Sequence, residues 1–149
     1  MTHLLDTCVI SELVKPVPDA NLLRWFAEHD EDSLYLSVLS IGELERGIAK
    51  LPASRKKTRL GAWVREDMVQ RFEGRLLAID LAVVQRWGAM AGASERRGRP
   101  LPVVDSLIAA TAVEHQLHVV SRNVDDFERC GVKCISPWVP PNNPDRRPR

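Results

Sequence analysis

His3–Val14 reads HLLDTCVISELV: a short apolar run, an acid, then a second apolar run with a different period. His3 to Leu5 is too short for a helix and predicts a strand, whereas Val9 to Val14 predicts a short helix stopped by Pro16. Asp6 and Thr7 occupy the junction between them. The same alternation recurs along the chain. Leu34 to Ser37 predicts a second strand, with Tyr35 adding β propensity. Leu76 to Ile79, Leu117 to Ser121 and Lys133 to Ile135 predict three more. Between them lie helical patterns. Leu22, Leu23 and Phe26 give one face through about His29, followed by the acidic turn at residues 28–32. Ile41, Leu44, Ile48 and Leu51 give the next, with Ser40 as its cap and Glu43 as the capping-box partner. Residues 54 to 72 predict a long charged helix with Leu60, Trp63, Val64 and Met68 inward, ended by Gly74. A helix from Asp80 or Leu81 to about Arg97 turns Val83, Val84, Trp87 and Met90 inward. Asp105 to His115, rich in alanine, and Val124 to Arg129 complete the set. Strands alternating with helices imply an α/β protein with a parallel sheet covered on both faces. The chain has 149 residues, which suits one domain.

In open parallel sheets ligands bind beyond the carboxyl ends of the strands. Asp6 follows the first strand, Asn123 follows LHVVS, and Asp105 opens a helix, so all three face that edge. Glu43 and Asp126 stand beside similar junctions. Each has a local use: Asp6 and Asp105 as helix caps, Glu43 as a partner of Ser40 or Arg46, Asp125 and Asp126 at a helix start. Together they predict an oxygen-lined pocket. Crowded carboxylates raise one another's pKa, and a bound cation reverses that cost. Acidic ligands without a His or Cys set point to Mg²⁺, with Mn²⁺ as the other choice, and away from zinc.

Lys plus Arg is 21 and Asp plus Glu is 20, a net charge of +1, so nothing draws the whole molecule to nucleic acid. Any such binding falls to local patches: Arg55, Lys56, Lys57 and Arg59; Arg96, Arg97 and Arg99; Arg146, Arg147 and Arg149. The three cysteines, Cys8, Cys130 and Cys134, are expected as free thiols. Cys130 and Cys134 lack a second pair with finger spacing, and His115 and His118 fit a helix end better than a zinc site. No apolar run approaches the roughly 20 residues of a membrane span. Asp6 and Glu12 interrupt the first apolar stretch, which argues against a signal peptide; a cytoplasmic protein without membrane association is expected.

Five segments in order, LLDTCVISEL, LSVLSIGELERGI, PVVDSLIAATAVEHQL, VVSRNVDDF and ISPW, resemble those of PIN-domain ribonucleases of the VapC toxin type, near the FitB-like branch. The resemblance spans residues 3 to 138. It implies a PIN domain over 1–138, followed by a mobile Pro/Arg-rich tail over 139–149. It further implies a three-layer α/β/α sandwich with a five-stranded parallel sheet of order 3-2-1-4-5. Asp6, Glu43 and Asp105 match the acids that hold Mg²⁺ in that family. The fourth acid falls at Asn123, which offers a carbonyl oxygen but no charge, and Asp126 three residues on is the nearest carboxylate. Thr7 matches a hydroxyl beside the metal; Ser11 and Arg46 are rim candidates.

The activity implied is a metal-dependent endoribonuclease, the toxin half of a toxin–antitoxin pair. Water would attack an RNA phosphodiester in line and release a 3′-hydroxyl. A cognate antitoxin and a homodimer are the implied partners, with Val9, Leu13, Leu22 and Trp25 expected on the antitoxin surface. The alternative is a non-catalytic RNA- or partner-binding module, which Asn123 favours. A phosphatase with an aspartyl nucleophile wants D-x-D after the first strand, and Cys8 fills the second place.

Overall fold

The computed structural model describes residues 1–139. Its elements run β1 (His3–Leu5), α1 (Thr7–Leu13), α2 (Ala20–Ala27), a 3₁₀ turn (Glu31–Ser33), β2 (Leu34–Ser37), α3 (Val38–Ala49), α4 (Arg55–Ala62), a π-helical stretch (Trp63–Met68), α5 (Val69–Arg71), β3 (Leu76–Leu77), α6 (Leu81–Arg96), α7 (Val103–Glu114), β4 (His118–Val120), α8 (Val124–Arg129) and β5 (Cys134–Ile135). The sheet has five strands in the order β3-β2-β1-β4-β5, and every pairing is parallel.

β1 is the middle strand. His3 lies opposite Leu34 and His118, and Leu5 opposite Leu36 and Val120. The next residues, Asp6, Ser37 and Ser121, therefore stand level at the carboxyl edge. Adjacent side chains on a strand point to opposite faces, and β1 shows the result. Leu5 joins a core with Val9, Ile10, Leu22, Leu36, Leu44, Val64 and Met68. Leu4 joins a second core with Ile108, Ala109, Ala112, Val119 and Phe127. Helices thus cover both faces, and the small residues of α7 let it lie close on the sheet.

Several sequence-based boundaries shift, each for a local reason. α3 is capped by Ser37, whose Oγ accepts the Leu39 N–H at 3.1 Å. Ser40 is buried inside that helix, so the expected capping box with Glu43 does not form. β2 runs straight into α3, and the hydroxyl at the strand's last residue takes the cap. α7 opens at Val103 behind Pro102, two residues before Asp105, which sits in its first turn. Proline's fixed φ suits the position ahead of a helix. The 54–72 helix is one helical run broken by the π-helical stretch. Gly74, at φ 77°, ends that run, in a conformation that suits glycine. Val84, expected inward, is 42 % exposed, because α6 packs chiefly against α7 and buries little beyond Val83. His118 belongs to β4, not to the end of α7: Gln116 adopts φ 56° and turns the chain before it.

Cys8, Cys130 and Cys134 are free thiols. Among the described residues no helix is long and apolar enough to cross a membrane. The expected tail lies, from Pro140 onward, outside the described residues.

Candidate active site

Asp6 caps α1 and is almost wholly buried. Its Oδ1 accepts the Thr7 N–H at 2.8 Å, and its Oδ2 accepts the Ser121 hydroxyl at 2.7 Å. The carboxylate is therefore held between the ends of β1 and β4. The Ser121 Oγ also accepts the Asn123 N–H at 2.9 Å, which fixes the loop into α8. Thr7 donates its hydroxyl to Glu43 Oε1 at 2.6 Å and lies 2.9 Å from Ser40 Oγ. One residue of α1 thereby orients the acid of α3.

Asp105 is different. Among the described residues its carboxylate has no hydrogen-bond or ion-pair partner. Burial raises its pKa to about 6, and the nearby charges of Asp6, Asp126 and Glu43 add to the rise. Those four acids share one field, with no cation among them. Three of them, Asp6, Glu43 and Asp105, line a cavity of about 350 Å³ together with Thr7, Cys8, Ser11 and Asn123.

The far wall is basic. Lys15 and Arg122 line the same cavity, and both pair with Glu12, at 2.6 and 3.5 Å. Glu12 is buried and also accepts the Asp19 N–H at 3.1 Å. The hydrogen bond from Lys15, followed by that from Asp19, holds its carboxyl below the ordinary range despite desolvation. The Arg122 guanidinium lies 4.5 Å over the Trp138 ring. A single buried carboxylate thus ties two cations to the pocket mouth.

Asp6, Thr7, Glu43, Asp105, Asn123 and Ser11 are all brought to one cavity. Asp126 lines a neighbouring one, with Arg122 and Asn123, although its charge reaches Asp105. Arg46 is exposed and does not line the pocket. Lys15 and Arg122 take the basic place instead. Glu12, Lys15 and Arg122 escaped the sequence reading. Their one local signal was the i,i+3 spacing of Glu12 and Lys15.

Val9 and Leu22, expected on an interaction surface, are fully buried core residues. Leu13 instead lines a groove of about 480 Å³ with Val14, Phe26, Trp63, Met68 and Phe72 on its apolar side and His29, Glu31 and Arg71 on its polar side. That groove opens between the early helices and the π-helical stretch.

Whether the pocket suits a metal rests on its donors. Among the described residues no three His, Cys, Asp or Glu side chains are gathered closely enough to cage an ion. Mg²⁺ does not ask for a cage: it takes one or two carboxylates and fills the remaining positions with water and substrate oxygen. Hard oxygen donors, and an unpartnered carboxylate at Asp105 crowded by like charge, fit that requirement.

A family profile described as the PIN domain matches residues 3–133. The VapC ribonuclease Y4jK of Sinorhizobium fredii is 35% identical over 136 residues, covering 91% of this chain and 97% of that one. Toxin FitB of Neisseria gonorrhoeae is 32% identical over 135 residues, with the same coverage of 91% and 97%. The crystal structure of FitAcB from Neisseria gonorrhoeae superposes with a TM-score of 0.86 at 31% identity, covering 92% of this chain and 99% of that chain.

Proposed function

As the chain belongs to the PIN-domain family, we propose that it is a ribonuclease toxin, which cleaves RNA phosphodiester bonds with a divalent cation and is neutralised by a cognate protein antitoxin. The observation that carries this reading is the shared cavity of Asp6, Glu43 and Asp105 at the carboxyl edge of the sheet. Asp6 and Asp105 would hold the cation, with Glu43 in support, and Mg²⁺ or Mn²⁺ fits these oxygens. When bound, the ion lowers the pKa of water and offsets charge at the phosphate.

The protein's own groups do the rest. Ser121 and the helix cap keep Asp6 in one orientation. Thr7 aims Glu43. Lys15 and Arg122 attract the phosphodiester that the acids alone would repel, and Glu12 restrains both cations so that little side-chain freedom is lost on binding. A substrate phosphate thus sits between an acidic floor and a basic wall. The groove beside Leu13 and Phe26 is the natural seat for the antitoxin, and two copies of the toxin are expected in the complex. Residues 1–138 form the whole catalytic unit on this reading, and its place is the cytoplasm.

Removal of divalent cations with EDTA should abolish cleavage of a single-stranded RNA, and Mg²⁺ or Mn²⁺ should restore it. Full activity in the chelated protein would remove the metal from the mechanism, and no cleavage under any condition would favour a binding module instead.

The position after β4 gives a finer test. Asn123→Asp adds a carboxylate to the cavity and should leave metal affinity unchanged or strengthen it. Asp126→Ala should lower the rate a few-fold, through loss of charge near Asp105. A metal titration of cleavage by Asp126→Ala that overlays the wild-type curve would reduce Asp126 to a helix-start residue.

A further inference from the structure

A second basic cavity lies at the far end of α8. It measures about 470 Å³, and Arg97, Arg99 and Arg129 line it together with Ser94 and Leu101. The turn after α6 is built to present the first two. Arg97 and Arg99 flank Gly98, whose φ of 72° suits glycine. The turn is closed by the Gly98 N–H on Glu95 O and the Arg99 N–H on Ser94 O, both at 2.9 Å. Arg129 joins this turn to α8: one guanidinium nitrogen donates to Pro100 O at 3.4 Å, and another lies 3.5 Å from Asp126 Oδ1. The side chains of Arg97 and Arg99 have no hydrogen-bond or ion-pair partner among the described residues. Three arginines therefore line one cavity, and Asp126 balances one of them.

In a molecule of net charge +1 this is a local concentration of cations. It is linked to the acid pocket through shared and paired side chains. Arg122 and Asn123 line both the acid pocket and the next cavity, which Asp126 shares, and Asp126 pairs with Arg129. α8 spans six residues, or about 9 Å at 1.5 Å per residue. Two to three stacked nucleotides, at about 3.4 Å each, cover that length.

We infer that the cavity of Arg97, Arg99 and Arg129 is a phosphate subsite for the RNA backbone, two to three nucleotides from the bond that is cut. Arginine suits it, because its planar fork bonds two phosphate oxygens at once. The inference rests on the ribonuclease reading and adds to it a minimum substrate length. RNA long enough to reach the subsite gains affinity there; a fragment confined to the acid pocket does not.

The test is RNA binding by fluorescence anisotropy across a salt series. Full-length protein carrying Asp105→Asn keeps the RNA intact during measurement. Adding Arg97→Gln and Arg99→Gln should weaken binding of a single-stranded oligonucleotide by about tenfold at low salt. The slope of log K against log salt should shrink by about 1.4, the single-strand value for two phosphate contacts. The control is Arg24→Gln with Lys50→Gln, an equal loss of charge at exposed positions on α2 and at the end of α3, outside the basic patches. It should change affinity less than twofold. On an otherwise wild-type background, Arg97→Gln/Arg99→Gln should raise KM for the long oligonucleotide and leave the turnover of a trinucleotide unchanged. Wild-type affinity and slope in Arg97→Gln/Arg99→Gln, while wild-type protein cleaves RNA, would overturn the subsite alone. So would an equal loss in the Arg24→Gln/Lys50→Gln control, which would signal a diffuse field. So too would intact RNA binding with loss of the antitoxin complex, which would assign the cavity to a protein. No RNA cleavage by wild-type protein would overturn both the ribonuclease reading and the subsite.

Discussion

Asp105→Asn is expected to lower RNA cleavage by roughly 10²- to 10⁴-fold, the range in which a positioned ionisable group or metal ligand acts, while the metal-free protein becomes more stable. Both effects come from the same arrangement. Asp105 stands half-buried without a partner, and burial, Asp6, Asp126 and Glu43 lift its pKa to about 6. A carboxyl whose folded pKa lies above its unfolded value binds its proton more tightly in the folded state. Stability therefore falls as pH rises from about 4 to about 6, and the loss is complete above that. Asn is nearly the same shape and carries no charge, so at pH 7.5 the variant should gain about 1 kcal/mol once solvent screening is allowed for. Asp6→Asn should lose as much activity but no such gain follows, because it disturbs the Ser121 hydrogen bond and the cap of α1. Single-turnover cleavage and thermal melts in EDTA read the two effects separately. Near-normal cleavage by a folded Asp105→Asn protein would leave the acid pocket without a catalytic role.

The second large effect belongs to the opposite end of the sheet. His3 is 1 % exposed, and neither ring nitrogen has a hydrogen-bond partner. Its ring packs edge-on against Trp25, His29 and His118, with centroids 5.1, 5.2 and 6.1 Å away. Burial, then the charges of His29, His118 and the N-terminus, lower its pKa to about 4. The unfolded chain takes up this proton first, near pH 6.5. Stability is accordingly full above about 6.5 and is lost as pH falls towards 4. Over that window the loss is on the order of 3 kcal/mol, or roughly 10 °C in Tm for a domain of this size. His3→Phe keeps the aromatic contacts and removes both the titration and the two orphaned nitrogens. It should melt higher at pH 7 and lose less on acidification. An unchanged Tm-versus-pH slope in His3→Phe would assign the acid sensitivity elsewhere.

Local pattern told most where one residue type had one job. β1, β2 and α8 appear with the bounds that their apolar runs suggested, and Asp6 stands where the strand hands over to the helix. Ser40 shows the opposite case. Ser40-x-x-Glu43 has every mark of a capping box, yet Ser37 reaches the cap first because no loop separates β2 from α3. Periodicity also cannot say how many neighbours a helix has: Val83 and Val84 look alike in sequence, but α6 meets mainly α7. The basic wall was hidden for a different reason. Arg122 and Glu12 are 110 residues apart, and their pairing exists only after β1 and β4 lie side by side. Arg46 drew attention because its i,i+3 spacing puts it on the helix face of Glu43, yet it does not line the cavity.

β1 also sets when the active site can exist. The central strand is read from the start of the chain, but it pairs with β4, and Asp6 receives its hydrogen bond from Ser121, 115 residues later. Contacts so distant in sequence form late and make folding slow. During synthesis, domains assemble as their pieces emerge, and here the last pieces needed are β4 and the Ser121 loop. A growing chain carries Asp6, Glu43 and then Asp105 without yet holding them together. The potential to cut RNA therefore arises only once β4 and the Ser121 loop have emerged, and a nascent chain that stops short of them lacks the contacts that hold its acids together.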